Sequence, residues 1–156
     1  METHIRPIPD SEIREALDLV WRVFEEFDAP DYYYPEGIEV FKQYIDYPSV
    51  MKRIKSGVIR FRGCYENDRL VGVICIRELV HISLLFVEKS HHYRGAARQL
   101  VLAVIDESKK ELPSNTAITV NSSLFAVELF HSLGFTDTGS EQTMHGTPYI
   151  PMSLSV

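Results

Sequence analysis

Three apolar, β-branched runs follow one another between residues 59 and 87, and they constrain the fold more than any other feature of this chain. Ile59 to Tyr65, Leu70 to Leu79 and His81 to Val87 each read as a strand. Glu66-Asn67-Asp68-Arg69 is turn-like and makes the first two a hairpin. A sheet of this kind must be covered by other elements, and the flanking sequence supplies them. His4 to Ile8 is a short first strand. Pro9-Asp10-Ser11-Glu12 opens a helix with Asp10 as its cap, and Ile13, Leu17, Val20, Trp21, Phe24 and Phe27 recur at helical spacing up to Asp28-Ala29-Pro30. A loop from Asp31 to Gly37 leads to a second helix carrying Val40, Phe41, Tyr44 and Ile45, which stops before Pro48. After Val87 come a polar loop, a helix over Gly95–Leu112, a strand at Ala117–Val120 and a helix over Ser123–Leu133 closed by Gly134. Two strands, Phe135–Thr143 and Tyr149–Val156, end the chain. The order β-α-α-β-β-β-α-β-α-β-β, without repeat or low-complexity linker, predicts one mixed α/β domain over residues 1–156 with a single central sheet.

Charge sharpens this picture. The net charge is −6, which speaks against a nucleic-acid partner. It is unevenly spread: residues 1–48 hold 4 basic and 12 acidic residues, residues 49–110 hold 12 and 6, and residues 111–156 hold none and 4. Cys64 and Cys75 sit in apolar strands and read as buried small hydrophobes rather than a disulfide. No apolar run reaches the roughly 20 residues of a membrane helix, and the N-terminus has no signal pattern, so a soluble, cytoplasmic protein with no membrane partner is expected. The six histidines show no ligand spacing, and no metal is expected.

The run from Leu85 to Leu100 carries the chemistry. An apolar strand enters a polar loop, and Gly95-Ala96-Ala97 open a helix whose free N–H groups and positive end suit an anion. Arg94 and Arg98 flank that turn, so pyrophosphate binding is physically reasonable, with an ordinary glycine turn as the alternative. The segment is not a Walker loop and lacks the three-glycine dinucleotide pattern.

His92-Tyr93-Arg94-Gly95-Ala96-Ala97 resembles the Q/R-x-x-G-x-G/A acetyl-CoA loop of the GCN5-related N-acetyltransferases. Leu85-Phe86-Val87 before it, Arg98 and Leu100 after it, and the stretches from Ile118 to Val127 and from Phe130 to Phe135 resemble that family's conserved blocks. The resemblance implies a mixed, mostly antiparallel sheet flanked by helices and an enzyme that moves an acetyl group from acetyl-CoA to an amine in a ternary complex. It implies that the backbone of Leu85, Phe86 and Val87 pairs with pantetheine and polarises the thioester. His92, Tyr93, Arg94, Gly95, Ala96, Ala97 and Arg98 would hold pyrophosphate, Asn121 would bond pantetheine, and Ser123, Ala126 and Phe130 would line the same channel.

Phe130 stands where many members have a proton-donating tyrosine, which leaves Ser123 or solvent as acid and admits a non-catalytic acyl-CoA-binding module as the alternative. His81, eleven residues before His92, matches the offset of the catalytic Glu in the histone-acetylating branch and is the candidate base, with Glu78 a weaker one. The first two helices cover the acceptor side in this family. There Glu25 and Tyr32, Tyr33 and Tyr34, within an acidic block that includes Asp28, suit a cationic acceptor such as a polyamine, an amino sugar or a peptide amine. Alternatively, those acids are the solvated faces of amphipathic helices. Edge strands in the tail leave a monomer or a homodimer open.

Overall fold

The computed structural model describes residues 2–32, 35–92 and 94–156. Strand β1 spans Thr3–Pro7, helix α1 Ile13–Val23, α2 Pro35–Tyr44 and α3 Tyr47–Lys55. Strands β2 (Ile59–Glu66), β3 (Arg69–Arg77) and β4 (His81–Val87) follow, then α4 (Ala96–Glu111), β5 (Ala117–Ser122), α5 (Val127–Ser132), β6 (Thr136–Asp137), β7 (Gln142–Met144) and β8 (Thr147–Ser155).

The strands form one sheet in the order β1-β2-β3-β4-β5-β8-β6, with β7 paired to β8. Every pairing is antiparallel except β4 with β5. The β2–β3 connection is a two-residue turn with Asn67 and Asp68 both at positive φ, the geometry that matches strand twist. Glu78 and Leu79 also lie at positive φ between β3 and β4. Neither is a glycine, so neighbours must hold the turn. The fully buried Ser108 of α4 does so by donating its hydroxyl to the Leu79 carbonyl at 2.8 Å, and Glu78 N–H bonds Val58 O at 2.9 Å.

Apolar layers fill both faces of the sheet. Leu19, Val20 and Phe24 of the α1 segment meet Phe61, Leu84 and Phe86 on one face. Leu100, Val101 and Val104 of α4 meet Ile74, Ile118 and Met152 on the other. Both cysteines are buried and free, and burial pushes the Cys75 thiol up to about 11.

The structure adds a helix the sequence reading lacks. Pro48 reads as a stop, yet it sits in the first turn of α3, where its missing N–H has no intrahelical role. Asp46 caps that turn by accepting from Ser49 N–H at 3.3 Å. Asp10, the expected cap of the first helix, makes no capping bond and opens a 3-10 turn over Asp10–Glu12. The helix expected from Ser123 starts only at Val127, and the strand expected over Phe135–Thr143 is two short pieces, β6 and β7.

Candidate functional site

Strands β4 and β5 pair over only two positions, His81 with Thr119 and Ile82 with Val120, and then diverge. A bulge at this point opens the gap further. Cys75 faces Leu84 and Ile76 faces Ile82, so Ser83 is the extra residue on β4. Beyond it, Glu88 N–H bonds Val71 O at 2.8 Å, which makes Val87 opposite Gly72 a non-hydrogen-bonded pair. The alternation then turns the N–H and C=O of Leu85 and Val87 away from β3 and into the gap. Among the described residues no strand pairs with this edge, although the Val87 carbonyl accepts from His92.

Two cavities meet along this edge. The first, of about 200 Å³, is lined by Asp28, Tyr32, Phe41, Ser83, Asn121, Phe130 and the Thr147–Tyr149 end of β8, among others. The second, of about 390 Å³, is lined by Phe27, Val87, His92, Gly95, Ala97, Arg98 and Phe125, among others. Asp28, Leu85, Phe86, Ser123 and Ala126 line both.

Gly95 sits just before α4 at φ +88°, a conformation that glycine adopts without strain. Among the described residues no side chain caps this end, and the first turn of α4 lies beside the second cavity. The approach to α4 is anchored from behind. His91, 5% exposed, bonds Glu66 through Nε2 at 2.9 Å and Ser90 through Nδ1 at 2.8 Å. The His91 hydrogen bond holds the Glu66 carboxyl below the usual carboxylate range. His92 donates from Nε2 to the Val87 carbonyl at 2.7 Å, and its ring lies 4.6 Å from Phe27 and 5.5 Å from Phe125. The three rings thus bridge α1's extension, the α4 approach and the segment after β5.

Helix α1 is prolonged by a π turn over Phe24–Asp28 and a 3-10 turn over Ala29–Asp31. The wider turn brings both Phe27 and Asp28 to the cavities while Phe24 stays in the core against Phe41, with ring centroids 3.9 Å apart. Burial raises the Tyr32 phenol, a hydrogen bond with Thr147 pulls it down, and the charge of Asp28 raises it again. Tyr32 therefore remains a neutral hydroxyl at neutral pH.

Of the residues singled out in the sequence, Leu85, Phe86, Val87, His92, Gly95, Ala96, Ala97, Arg98, Asn121, Ser123, Ala126, Phe130 and Tyr32 line one cavity or both. Phe130 is buried edge-on to Phe135 at 5.2 Å. Arg94 is exposed and reaches back to the Ser90 carbonyl at 3.4 Å. Tyr33, Tyr34 and Tyr93 lie outside the described residues. Glu25 is exposed and lines neither cavity, and Glu78 is exposed in its turn. His81 begins β4, where Nδ1 meets Thr119 Oγ1 at 2.8 Å, and it lines neither cavity. Burial, and then the Arg77 charge, lower its affinity for a proton. The sequence reading did not single out Phe27, Phe125, the β7–β8 hairpin or Asp28 as an individual. Asp28 had a signal in the acidic block, Phe27 in the helical repeat and Phe125 in the stretch that resembles the family's conserved block; the β7–β8 hairpin had no comparable one.

The family model described as "Acetyltransferase (GNAT) domain" matches residues 29–156. The chain belongs to the GNAT acetyltransferase family. Its mixed eight-stranded sheet is the acyl-CoA N-acyltransferase fold, and the protein is an N-acetyltransferase of that family. The UPF0039 protein C11D3.02c of Schizosaccharomyces pombe is 25% identical over 149 residues, covering 90% of this chain and 98% of that protein. A GCN5-related N-acetyltransferase structure from Rhodopseudomonas palustris superposes with a TM-score of 0.84 at 17% identity, covering 100% of this chain and 97% of that one. The PaiA N-acetyltransferase of Thermoplasma acidophilum, solved with coenzyme A, gives 0.75 at 15% identity with both chains fully covered. Among the described residues no group of three or more His, Cys, Asp or Glu could hold a metal ion, and no helix is long and apolar enough to cross a membrane.

Proposed function

We propose that this enzyme, acting as one domain over residues 1–156, transfers the acetyl group of acetyl-CoA directly to a primary amine held in the first cavity. The observation that carries the reading is the edge of Leu85 and Val87, which has no partner strand among the described residues and opens on both cavities. Pantetheine is an amide chain, and it satisfies such an edge as a strand would. Pyrophosphate meets the free N–H groups at the start of α4, with Arg98 beside it. His92 must release the Val87 carbonyl as the arm enters. Asn121 and Ser123 bond the arm from the β5 side.

The chemistry then lies at the junction of the cavities. The amine nitrogen forms a bond to the thioester carbon while a backbone N–H in the Leu85–Val87 edge stabilises the oxyanion. The carbon–sulfur bond breaks and the thiolate leaves. Two protons leave the ammonium overall, one to solvent or a base and one to the thiolate. Asp28, shared by both cavities, is the carboxylate we assign beside the ammonium, in preference to His81, which lines neither. Ser123, also shared, is the hydroxyl nearest to the role that Phe130 leaves vacant.

Acetyl-CoA is expected to raise the melting temperature, while NAD and ATP do not. Free thiol should then appear with a primary amine. No stabilisation by acetyl-CoA would defeat the reading. Phe130 favours a second one, a binding module without turnover, and stabilisation without thiol release from any amine would select it.

A further inference from the structure

Resting on the transfer reading above, we infer that Glu66 and His91 act as one positioning unit for the anionic end of acetyl-CoA. The pair lies just behind the start of α4. Three residues separate His91 from Gly95, and His91 lines the second cavity together with Gly95, Ala96, Ala97 and Arg98. Glu66 ends β2 and lines neither cavity, so it acts on the site only through His91. The hydrogen bonds define what the pair does. An ionised carboxylate only accepts, so His91 donates from Nε2 to Glu66 Oε2 at 2.9 Å. Its Nδ1 meets Ser90 Oγ at 2.8 Å. Both ring nitrogens are taken, so His91 has none left for a ligand and holds its own backbone instead. The charge of Arg94 adds to the hydrogen bond from His91 in favouring the ionised form of Glu66.

The other described ion pairs on this segment lie toward the surface. Glu88 meets Arg22 at 3.0 Å and Arg69 at 3.7 Å, and Lys89 meets Glu26 at 3.3 Å. Arg22, Arg69, Lys89 and Glu26 are exposed, and pairs of that kind contribute little. Glu66 and His91 are both buried, where losing one partner leaves the other unsatisfied. Backbone N–H groups bind an anion well when they are held in place beforehand. The buried pair ties the approach to α4 to the end of β2, so breaking it should cost cofactor affinity.

The test is calorimetric titration of the full chain with acetyl-CoA, which needs no amine. Glu66→Ala removes the acceptor, and His91→Phe keeps a ring in place but cannot donate. Each is expected to raise the acetyl-CoA dissociation constant at least tenfold. The double variant should bind no more weakly than either single one, because the two residues act together. Glu66→Gln keeps an acceptor for His91 and should stay within about threefold of the unaltered chain, as should Arg69→Ala, which breaks only a surface pair. S-acetylpantetheine, which lacks the pyrophosphate and the nucleotide, should bind His91→Phe and the unaltered chain equally. Unchanged acetyl-CoA affinity in Glu66→Ala or in His91→Phe would overturn the inference and leave the transfer reading intact. So would additive losses in the double variant, no rescue by Glu66→Gln, or an equal loss for S-acetylpantetheine. No binding of acetyl-CoA by the unaltered chain would remove both.

Discussion

Gly37→Ala probes the contact between α2 and the β7–β8 hairpin, whose Thr147 and Tyr149 line the first cavity. Gly37 is buried in α2, and a Cβ there would approach three atoms within 3.0 Å: the His145 carbonyl oxygen at 2.6 Å, Tyr32 Cδ2 at 2.8 Å and Thr147 Oγ1 at 2.9 Å. The nearest is backbone, so the hairpin must move rather than a flexible side chain. Overpacking of this kind costs about 3 kcal/mol at the upper end of its usual range. Alanine returns about 1 kcal/mol of helix propensity. The net loss is about 2 kcal/mol, or about 4–8 °C in melting temperature for a chain of this length. The displaced hairpin carries Thr147 and Tyr149, so the KM for the amine should rise. The α4 end of the second cavity is built from other elements, so the acetyl-CoA dissociation constant should hold. Thermal unfolding, calorimetry with acetyl-CoA and steady-state kinetics measure the three quantities. Gly57→Ala is the control for strain away from the site: a Cβ at φ +80° is strained although nothing lies within 4 Å of it, and Gly57 lines neither cavity, so it should lower the melting temperature and leave the amine KM unchanged. Unchanged melting temperature and amine KM in Gly37→Ala would refute the packing and its link to the first cavity together.

Other perturbations separate backbone, charge and catalysis. The Cβ of Gly95→Val meets no described atom within 4 Å, but a β-branched residue is forced to φ +88°, so acetyl-CoA affinity should fall at least tenfold, and Gly95→Asn should lose less; equal affinities in calorimetry would remove Gly95 from the proposed anion site. Glu66, held low by His91, binds a proton less readily folded than unfolded, so its stabilisation is complete above about pH 4.5 and disappears as pH falls through the lowered value. Glu66→Gln should flatten that acid limb in melting curves against pH. His81 is also shifted down, so stability should decline as pH drops below about 6.5 toward its folded value, and His81→Gln should flatten this window while retaining turnover; collapse of turnover in that variant would restore His81 as the base. Asp46→Ala should cost about 1 kcal/mol through loss of the α3 cap, read as a fall in denaturation midpoint.

Much of the sheet was legible because strand and hairpin signals are local. The runs from Ile59 to Val87 became β2, β3 and β4, and the two-residue turn at Asn67-Asp68 lies where the sequence put it. Gly95 was legible for the same reason, since a polar loop running into small residues at a helix start is a property of a few adjacent positions. The helix at Pro48 was missed because one residue has two local meanings. A proline can end one helix or begin the next, and Pro48 stands in the first turn of α3, after α2 has already stopped at Tyr44. His81 was reached by counting along the chain, but the bulge at Ser83 and the short β4–β5 pairing determine which positions meet a cavity.

By itself the sequence determined the strands, the glycine-led start of α4 and an acidic N-terminal third. Backbone sterics and side-chain periodicity act over a few residues, and these features need no more than that. Only the tertiary structure decided which acid lines both cavities. Glu25, Glu26 and Asp28 are equivalent in composition and separated by three positions. The π turn, the contact of β7–β8 with α2 and the splay of β4 from β5 bring Asp28 to both cavities and leave Glu25 and Glu26 outside the cavity where we assign the acceptor amine. That choice depends on elements more than a hundred residues apart meeting at one point, and no local pattern encodes it.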